Sequence, residues 1–175
     1  YPKAIFTLWT ESERNAINIY EVTIDDSKRK DEKWYINTNI TYSFDGTNAT
    51  GSYGDATAKA HADTLFSAQD ETDGLGTEGE VATRGLKYNL IQTVKTQAAN
   101  ELAKTDWYIT RKSEKNTAIP SAITTHRDAV RTKQAAMETA ITNASDTPAL
   151  ETLYTYTRQE DGSTTRPLGE IPTLE

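Results

Sequence analysis

The chain contains no cysteine, so disulfide bridges, thiolate metal ligands and cysteine nucleophiles are excluded. Histidine is nearly as scarce: His61 and His126 are the only two, and they lie far apart in the sequence. No apolar run approaches the ~20 residues that a membrane-spanning helix needs. The opening Tyr1-Pro2-Lys3 lacks an initiator methionine and does not read as a signal peptide, so a processed or incomplete start is expected. Basic residues are outnumbered 19 to 26, giving a net charge of −7. Such a surface repels phosphate, so neither nucleic acid nor an anionic membrane is expected as a partner. These absences describe a soluble, cytosolic-type chain. Its 175 residues suit one domain or two small ones, and 35% hydrophobic residues supply a modest core held by packing alone.

The first third has the period of β structure. Ile17 and Ile19 alternate, as do Val22 and Ile24, with a phase slip between the pairs that predicts a bulged strand over 16–24. A second strand is expected over 34–44, where Ile36, Ile40, Tyr42 and Phe44 fall at even spacing. Asp45-Gly46 signals a hairpin, with 47–53 as a short return strand weakened by Gly51. Residues 55–69 are alanine-rich and predict a helix capped by Asp55. The acidic, glycine-rich stretch at 70–80 predicts a mobile loop and a domain boundary.

The second half has a helical period. Leu86, Leu90, Val94, Ala98 and Leu102 recur every four residues with Ile91 beside them, the stripe of an amphipathic helix. Thr105-Asp106 predicts the cap of another turn carrying Trp107 and Tyr108, and 112–117 a polar break. Pro120-Ser121 opens a long helix with Ile123, Val130, Met137 and Ile141 on one side. Asp146 and Pro148 start a short helix through Leu150 and Leu153. The tail alternates at Tyr154 and Tyr156 and turns at Asp161-Gly162.

Motifs that carry chemistry are imperfect here. Gly74-Leu75-Gly76-Thr77-Glu78-Gly79 has the letters of a dinucleotide loop, whose glycines let backbone amides approach a pyrophosphate. No strand directly precedes it, however, and Asp70, Glu71, Asp73, Glu78 and Glu80 would repel phosphate. The same stretch half-fits a calcium loop starting at Gln69, where that motif requires Asp. No G-x-S-x-G elbow exists, and Asp25/Asp26 read as neighbours in a charged loop. His126 reads as a surface or interface residue. No catalytic residue, metal ligand or cofactor is therefore assigned. Trp34, Tyr35, Trp107 and Tyr108 are adjacent aromatic pairs, which regular structure cannot bury completely, and aromatics concentrate at interface hot spots. If the chain bound host glycans instead, Trp34 and Trp107 would be the residues to stack on sugars, but no carboxylate pair frames such a site.

Residues 101–131, ELAKTDWYITRKSEKNTAIPSAITTHRDAVR, resemble the C-terminal core of phage tail-fibre assembly proteins and related small tail-associated proteins of marine-phage type. Leu102, Thr105, Asp106, Trp107, Arg111, Pro120, Arg127 and Arg131 carry the likeness. The N-terminal LWTESERNAINIYEV and DEKWYINT segments are similar to such proteins more loosely. The resemblance implies binding to a tail-fibre or other tail protein, either as an assembly chaperone or on the fibre tip. It implies no catalysis and no cofactor. Its place would be the virion tail, or the host cytoplasm during assembly. The chain runs well beyond the second helix of the motif, which favours considering a permanent virion subunit of baseplate, neck or tail, with oligomerisation in the particle.

The expectation is an α+β protein with a small N-terminal antiparallel sheet and a C-terminal helical hairpin. Residues 1–69 would form the β-rich part, 70–81 the linker, and 82–175 the helical part with its tail. The residues expected to bind a partner are Trp107, Tyr108, Arg111, Arg127 and Arg131, since Trp, Tyr and Arg together compose protein-binding hot spots.

Overall fold

The computed structural model describes residues 2–174, and the fold is α+β. The chain divides into two compact units between Ala58 and Lys59.

The first unit holds α1 (Ala4–Thr7), α2 (Glu11–Asn15), β1 (Val22–Asp25), β2 (Tyr35–Ile36), β3 (Thr41–Phe44), β4 (Ala49–Ser52) and β5 (Thr57–Ala58). Its main sheet has the order β1-β4-β3. β3 and β4 form the expected hairpin, with Gly46 at φ 97° and Asp45 Oδ1 accepting from the Thr47 and Asn48 amides at 2.8 Å each. β1, by contrast, runs parallel to β4, so the sheet is mixed rather than antiparallel. The register places Val22, Ile24, Ala49, Gly51, Tyr42 and Phe44 on one face, and Thr23, Asp25, Thr50, Ser52, Thr41 and Ser43 on the other. Gly51 does not weaken this sheet. A Cβ there would lie 2.8 Å from Ile24 Cδ1 and 2.9 Å from Ile40 Cγ2, so the neighbouring strands close over the missing side chain.

Two further expectations fail in this unit. Ile17 and Ile19 are not in a strand: α2 ends at Asn15, the chain turns through Asn18 at φ 60°, and β1 starts only at Val22. Thr10 and Glu13 form a capping box that starts α2, so the apparent bulge is a helix exit. The strand expected over 34–44 is two strands, β2 and β3, which serve different sheets; β2 pairs with β5.

The second unit comprises β6 (Thr64–Leu65), α3 (Ala68–Thr72), β7 (Val81–Thr83), α4 (Leu86–Ala103), α5 (Asp106–Lys115), α6 (Ser121–Asn143), α7 (Thr147–Tyr154), β8 (Thr157–Arg158) and β9 (Thr164–Thr165). The helix expected over 55–69 is absent. Ala56, Ala58, Ala60 and Ala62 alternate with polar residues, which is the period of extended chain, and no large apolar stripe exists for a helix to bury. Helix begins only at Ala68, behind a Ser67/Asp70 capping box.

Residues 70–81 are likewise not a linker between domains. The Phe66 amide donates to Glu80 O (2.9 Å) and the Gly79 amide to Phe66 O (3.0 Å), closing the loop across the β6–β7 hairpin. The division falls earlier because residues 59–61 are tied to the helices. Thr147 Oγ1 donates to Lys59 O (2.6 Å), and the Leu86 and Lys87 amides donate to Ala60 O and His61 O at 3.0 Å each.

α4 packs antiparallel along α6: Arg127 reaches Leu102 O at one end, and Lys87 Nζ reaches Thr142 O at the other. Leu90, Val94 and Ala98 of α4 meet a core made with Ile123, Val130, Met137 and Ile141 of α6 and Leu150 of α7. Each large side chain buried here contributes about 1.5–3 kcal/mol. Asp146 caps α7 by accepting from the Ala149 amide at 2.8 Å, as its sequence predicts. The tail folds back after the β8–β9 hairpin. Arg166 lies over the rings of Tyr154 and Tyr156, and the Leu168 amide donates to Leu153 O.

One polar residue in the apolar stripe was not anticipated. Glu101 is 5% exposed, and its carboxylate accepts from Lys104 Nζ and from the Leu174 amide (2.8 Å), latching the C-terminal segment onto α4. His126 Nε2 lies 3.3 Å from the same carboxylate without hydrogen-bond alignment, so His126 sits against the interior rather than at the surface. The Lys104 hydrogen bond, helped by the Leu174 amide, holds the Glu101 carboxyl below its ordinary range against the opposing effect of burial. A carboxyl depressed in the folded state stabilises above its unfolded value and loses that contribution as pH falls through its folded value. The latch is therefore expected to hold at neutral pH and to release only as pH falls below the ordinary glutamate range. The protection of the Leu174 amide, the factor by which it exchanges more slowly than an unstructured amide at the same pH, should fall in that acid range. In Glu101→Gln it should be low at pH 7 already and change little on acidification; equal pH dependence of protection in both proteins would rule out this carboxylate as the latch.

Candidate functional site

The residues expected to bind a partner lie at the corner where α4 gives way to α5 and the start of α6 comes alongside. α4 ends at Ala103, Thr105 stands at the N-cap of α5 with φ −117° and ψ 6°, and α5 begins at Asp106. Thr105 was expected to cap α5 with its side chain, and it does not. Its hydroxyl donates to Leu102 O (3.0 Å) and accepts from Arg127 Nη1 (2.6 Å), and the residue is fully buried. Arg127 Nη1 also reaches Leu102 O and Asp106 Oδ1, each at 2.8 Å. Leu102, Thr105, Asp106 and Arg127, all residues that carry the tail-protein likeness, thus meet in one network that fixes the departure of α5 from α4.

This geometry splits the expected set. Arg127 is buried, so it is a clamp beneath the corner and not part of a docking surface. Its guanidinium is enclosed because α4 and α6 close over it, which the chain's spacing alone did not reveal. Arg131 lies one turn further along α6, where its side chain is 53% exposed and pairs with Asp128 at 3.3 Å. It makes no ion pair with the aromatic corner among the described residues.

Trp107, Tyr108 and Arg111 do come together. The two rings lie 3.9 Å apart between centroids, and Arg111 Cζ sits 4.6 Å from the Trp107 centroid and 5.4 Å from that of Tyr108. The spacing explains it: on a helix, residue 111 lies four places from 107 and three from 108, the distances at which side chains become neighbours.

α5 itself contains no buried residue. Trp107 is 51% exposed and Ile109 43%. Ile109 was missed in the sequence because no apolar stripe ran through this segment to draw attention to it. The helix is well formed nonetheless. Asp106 stands in its first turn and Lys112 and Lys115 in its last, the charge order that suits a helix dipole. Asn116 closes it in a left-handed conformation at φ 53° and accepts from Lys112 Nζ at 2.6 Å.

Other proposed surfaces look different. Trp34 is 3% exposed and cannot offer a face to a sugar ring. The Gly74–Gly79 stretch lies between α3 and β7, whereas a dinucleotide loop needs a helix after its glycines. The nearby carboxylates are engaged within their own loop: Asp70 with Ser67, Glu71 with the Glu78 amide and Asp73 with Gln69. No described helix is long and apolar enough to cross a membrane.

Compared with protein-family models, curated proteins and solved structures, the chain matches none.

Proposed function

We propose that this chain is a non-catalytic protein-binding module of a phage tail, engaging a tail-fibre or other tail protein through α5. The observation that carries the binding role is a helix anchored at one end by a buried arginine while none of its own residues is buried. A free surface helix of this length is marginal in water without a packing partner. A partner laid against Trp107, Tyr108 and Ile109 would supply that packing. The identity of the partner rests on the likeness of residues 101–131 to tail-fibre assembly proteins. In this reading neither nucleic acid nor membrane is a partner, and no cofactor takes part. The protein works in the virion tail, or in the host cytoplasm during assembly.

Permanent residence in the particle is the second reading. The back-folded tail, with Leu168 buried and Leu174 held by Glu101, gives the chain more fixed structure than the helical motif alone requires.

A photo-crosslinking residue at Ile109, in protein co-expressed with the tail proteins of its phage, should link to a fibre or tail subunit. The same residue at Lys95, outside the corner, should not. Mass spectrometry of purified particles then separates the two readings by the presence or absence of this chain. Absence of any Ile109 cross-link to a tail protein would sink the proposal.

A further inference from the structure

We infer that α5 receives an acidic segment of its protein partner, with Arg111 taking a carboxylate and Trp107 and Ile109 the apolar side chain beside it. This rests on the reading of α5 as the binding element and adds the chemistry of what binds.

Arg111 carries the argument. Its guanidinium is held over two aromatic rings, and it makes no hydrogen bond or ion pair among the described residues. Its Nε is buried without a partner. The terminal nitrogens, which are not buried, are the unused donors, while stacking fixes the guanidinium plane. That is the arrangement in which arginine receives a carboxylate through two parallel hydrogen bonds at little further cost in side-chain freedom.

The surrounding charge has the matching sign. α5 carries Arg111, Lys112 and Lys115 against Asp106 and Glu114. Asp106 is already paired with Arg127 at 2.8 Å. The exposed surface of α5 is thus positive on a chain whose net charge is −7. A carboxylate-bearing segment is drawn to that patch, while the rest of the surface turns it away, which gives orientation as well as attraction. The half-exposed Trp107 and Ile109 next to the guanidinium require that the segment bring an apolar side chain too. Nucleic acid and anionic lipid also carry negative charge, but their extended surfaces would meet the acidic remainder of the chain.

The test is a fluorescein-labelled peptide with the core Glu-Glu-Leu-Phe-Glu-Glu, and the same peptide with Gln in place of every Glu, each titrated with the full chain. The Glu peptide should bind saturably, and the Gln peptide and the Arg111→Gln protein should each weaken binding about tenfold or more. Trp107→Ala should weaken it as well. Trp107 is 51% exposed and Arg111 makes no hydrogen bond among the described residues, so both variants should melt close to the parent. Equal binding of the two peptides, no binding of either, or indifference to Arg111→Gln would overturn the inference. So would binding to phosphatidylserine vesicles in place of the Glu peptide. An Ile109 cross-link that survives Arg111→Gln undiminished would overturn the acidic-segment chemistry while leaving the protein-binding reading intact.

Discussion

Arg127→Met should lower the melting temperature by about 10 °C, a loss of roughly 2–3 kcal/mol, while Arg131→Ala should stay within about 0.5 kcal/mol of the parent. The two arginines stand one turn apart on the same helix, and only their surroundings differ. Arg127 Nη1 serves Leu102 O, Thr105 Oγ1 and Asp106 Oδ1 inside the corner. Methionine has comparable length and can fill the space, but it donates nothing. Leu102 O and the Thr105 hydroxyl then lose their charged donor in a place water reaches poorly, and an unmade buried hydrogen bond costs more than a made one gains. Asp106 is 61% exposed at its side chain and can turn to water, which keeps the loss below that of a fully buried ion pair. Arg131 and Asp128 are both largely solvated, and such a pair contributes little. Arg127→Lys should recover part of the loss, because an ammonium restores the charge but not the planar fork. Thermal melts followed by circular dichroism distinguish these cases. Equal melting of the Arg127→Met and Arg131→Ala proteins would mean that the corner does not depend on its buried guanidinium.

The contrast also shows what a sequence can disclose. α4 and α6 were legible because each has a long apolar period, and α7 because Asp146 and Pro148 mark its start; Ile123, Val130, Met137 and Ile141 are all buried as their spacing predicts. The hairpin at Asp45-Gly46 was legible because its turn chemistry is local. The parallel pairing of β1 with β4 was not, since nothing within Val22–Asp25 specifies which distant strand it joins. The segment 55–69 misled because alanine suits a helix by propensity while its period-two spacing suits extended chain, and the second signal prevails where there is no stripe to bury. At the corner, the expected residues are brought together only in part, and burial separates their surroundings. Trp107, Tyr108 and Arg111 came together through helical spacing, which a sequence displays. Arg127 went inside through a contact with Thr105 across 22 positions, which it does not display. Glu101 was hidden for the same reason, because its partners come from Lys104 nearby and Leu174 far along the chain.

Gly85→Ala should destabilise the second unit by about 2–4 kcal/mol, combining overpacking with lost hydrogen bonds at the start of α4. Gly85 is the N-cap of α4 and is extended, at φ −79° and ψ 174°, so alanine meets no conformational objection. The objection is steric. A Cβ at Gly85 would lie 2.2 Å from Ala62 O and 2.3 Å from Ala62 C, which are backbone atoms that no side-chain rotation can move aside. The crowding segment is also the one that caps the helix. Ala60 O accepts from the Leu86 amide and His61 O from the Lys87 amide, while Asp63 Oδ1 accepts from the Gly85 amide at 2.8 Å. Because no side chain of the N-cap residue satisfies these first-turn donors, pushing residues 60–62 away leaves Leu86 and Lys87 without partners in one step. The displacement should then reach Thr147, whose hydroxyl is bonded to Lys59 O at the other end of the same stretch. Asp63→Asn is the informative control. It keeps an oxygen for the Gly85 amide and removes only the charge that meets Arg84, so it should shift the melting temperature far less. Amide exchange at Leu86 and Lys87 should rise sharply in Gly85→Ala and stay near the parent in Asp63→Asn. If Gly85→Ala melts with the parent and keeps those two amides protected, the 60–62 segment moves without cost and does not hold the start of α4.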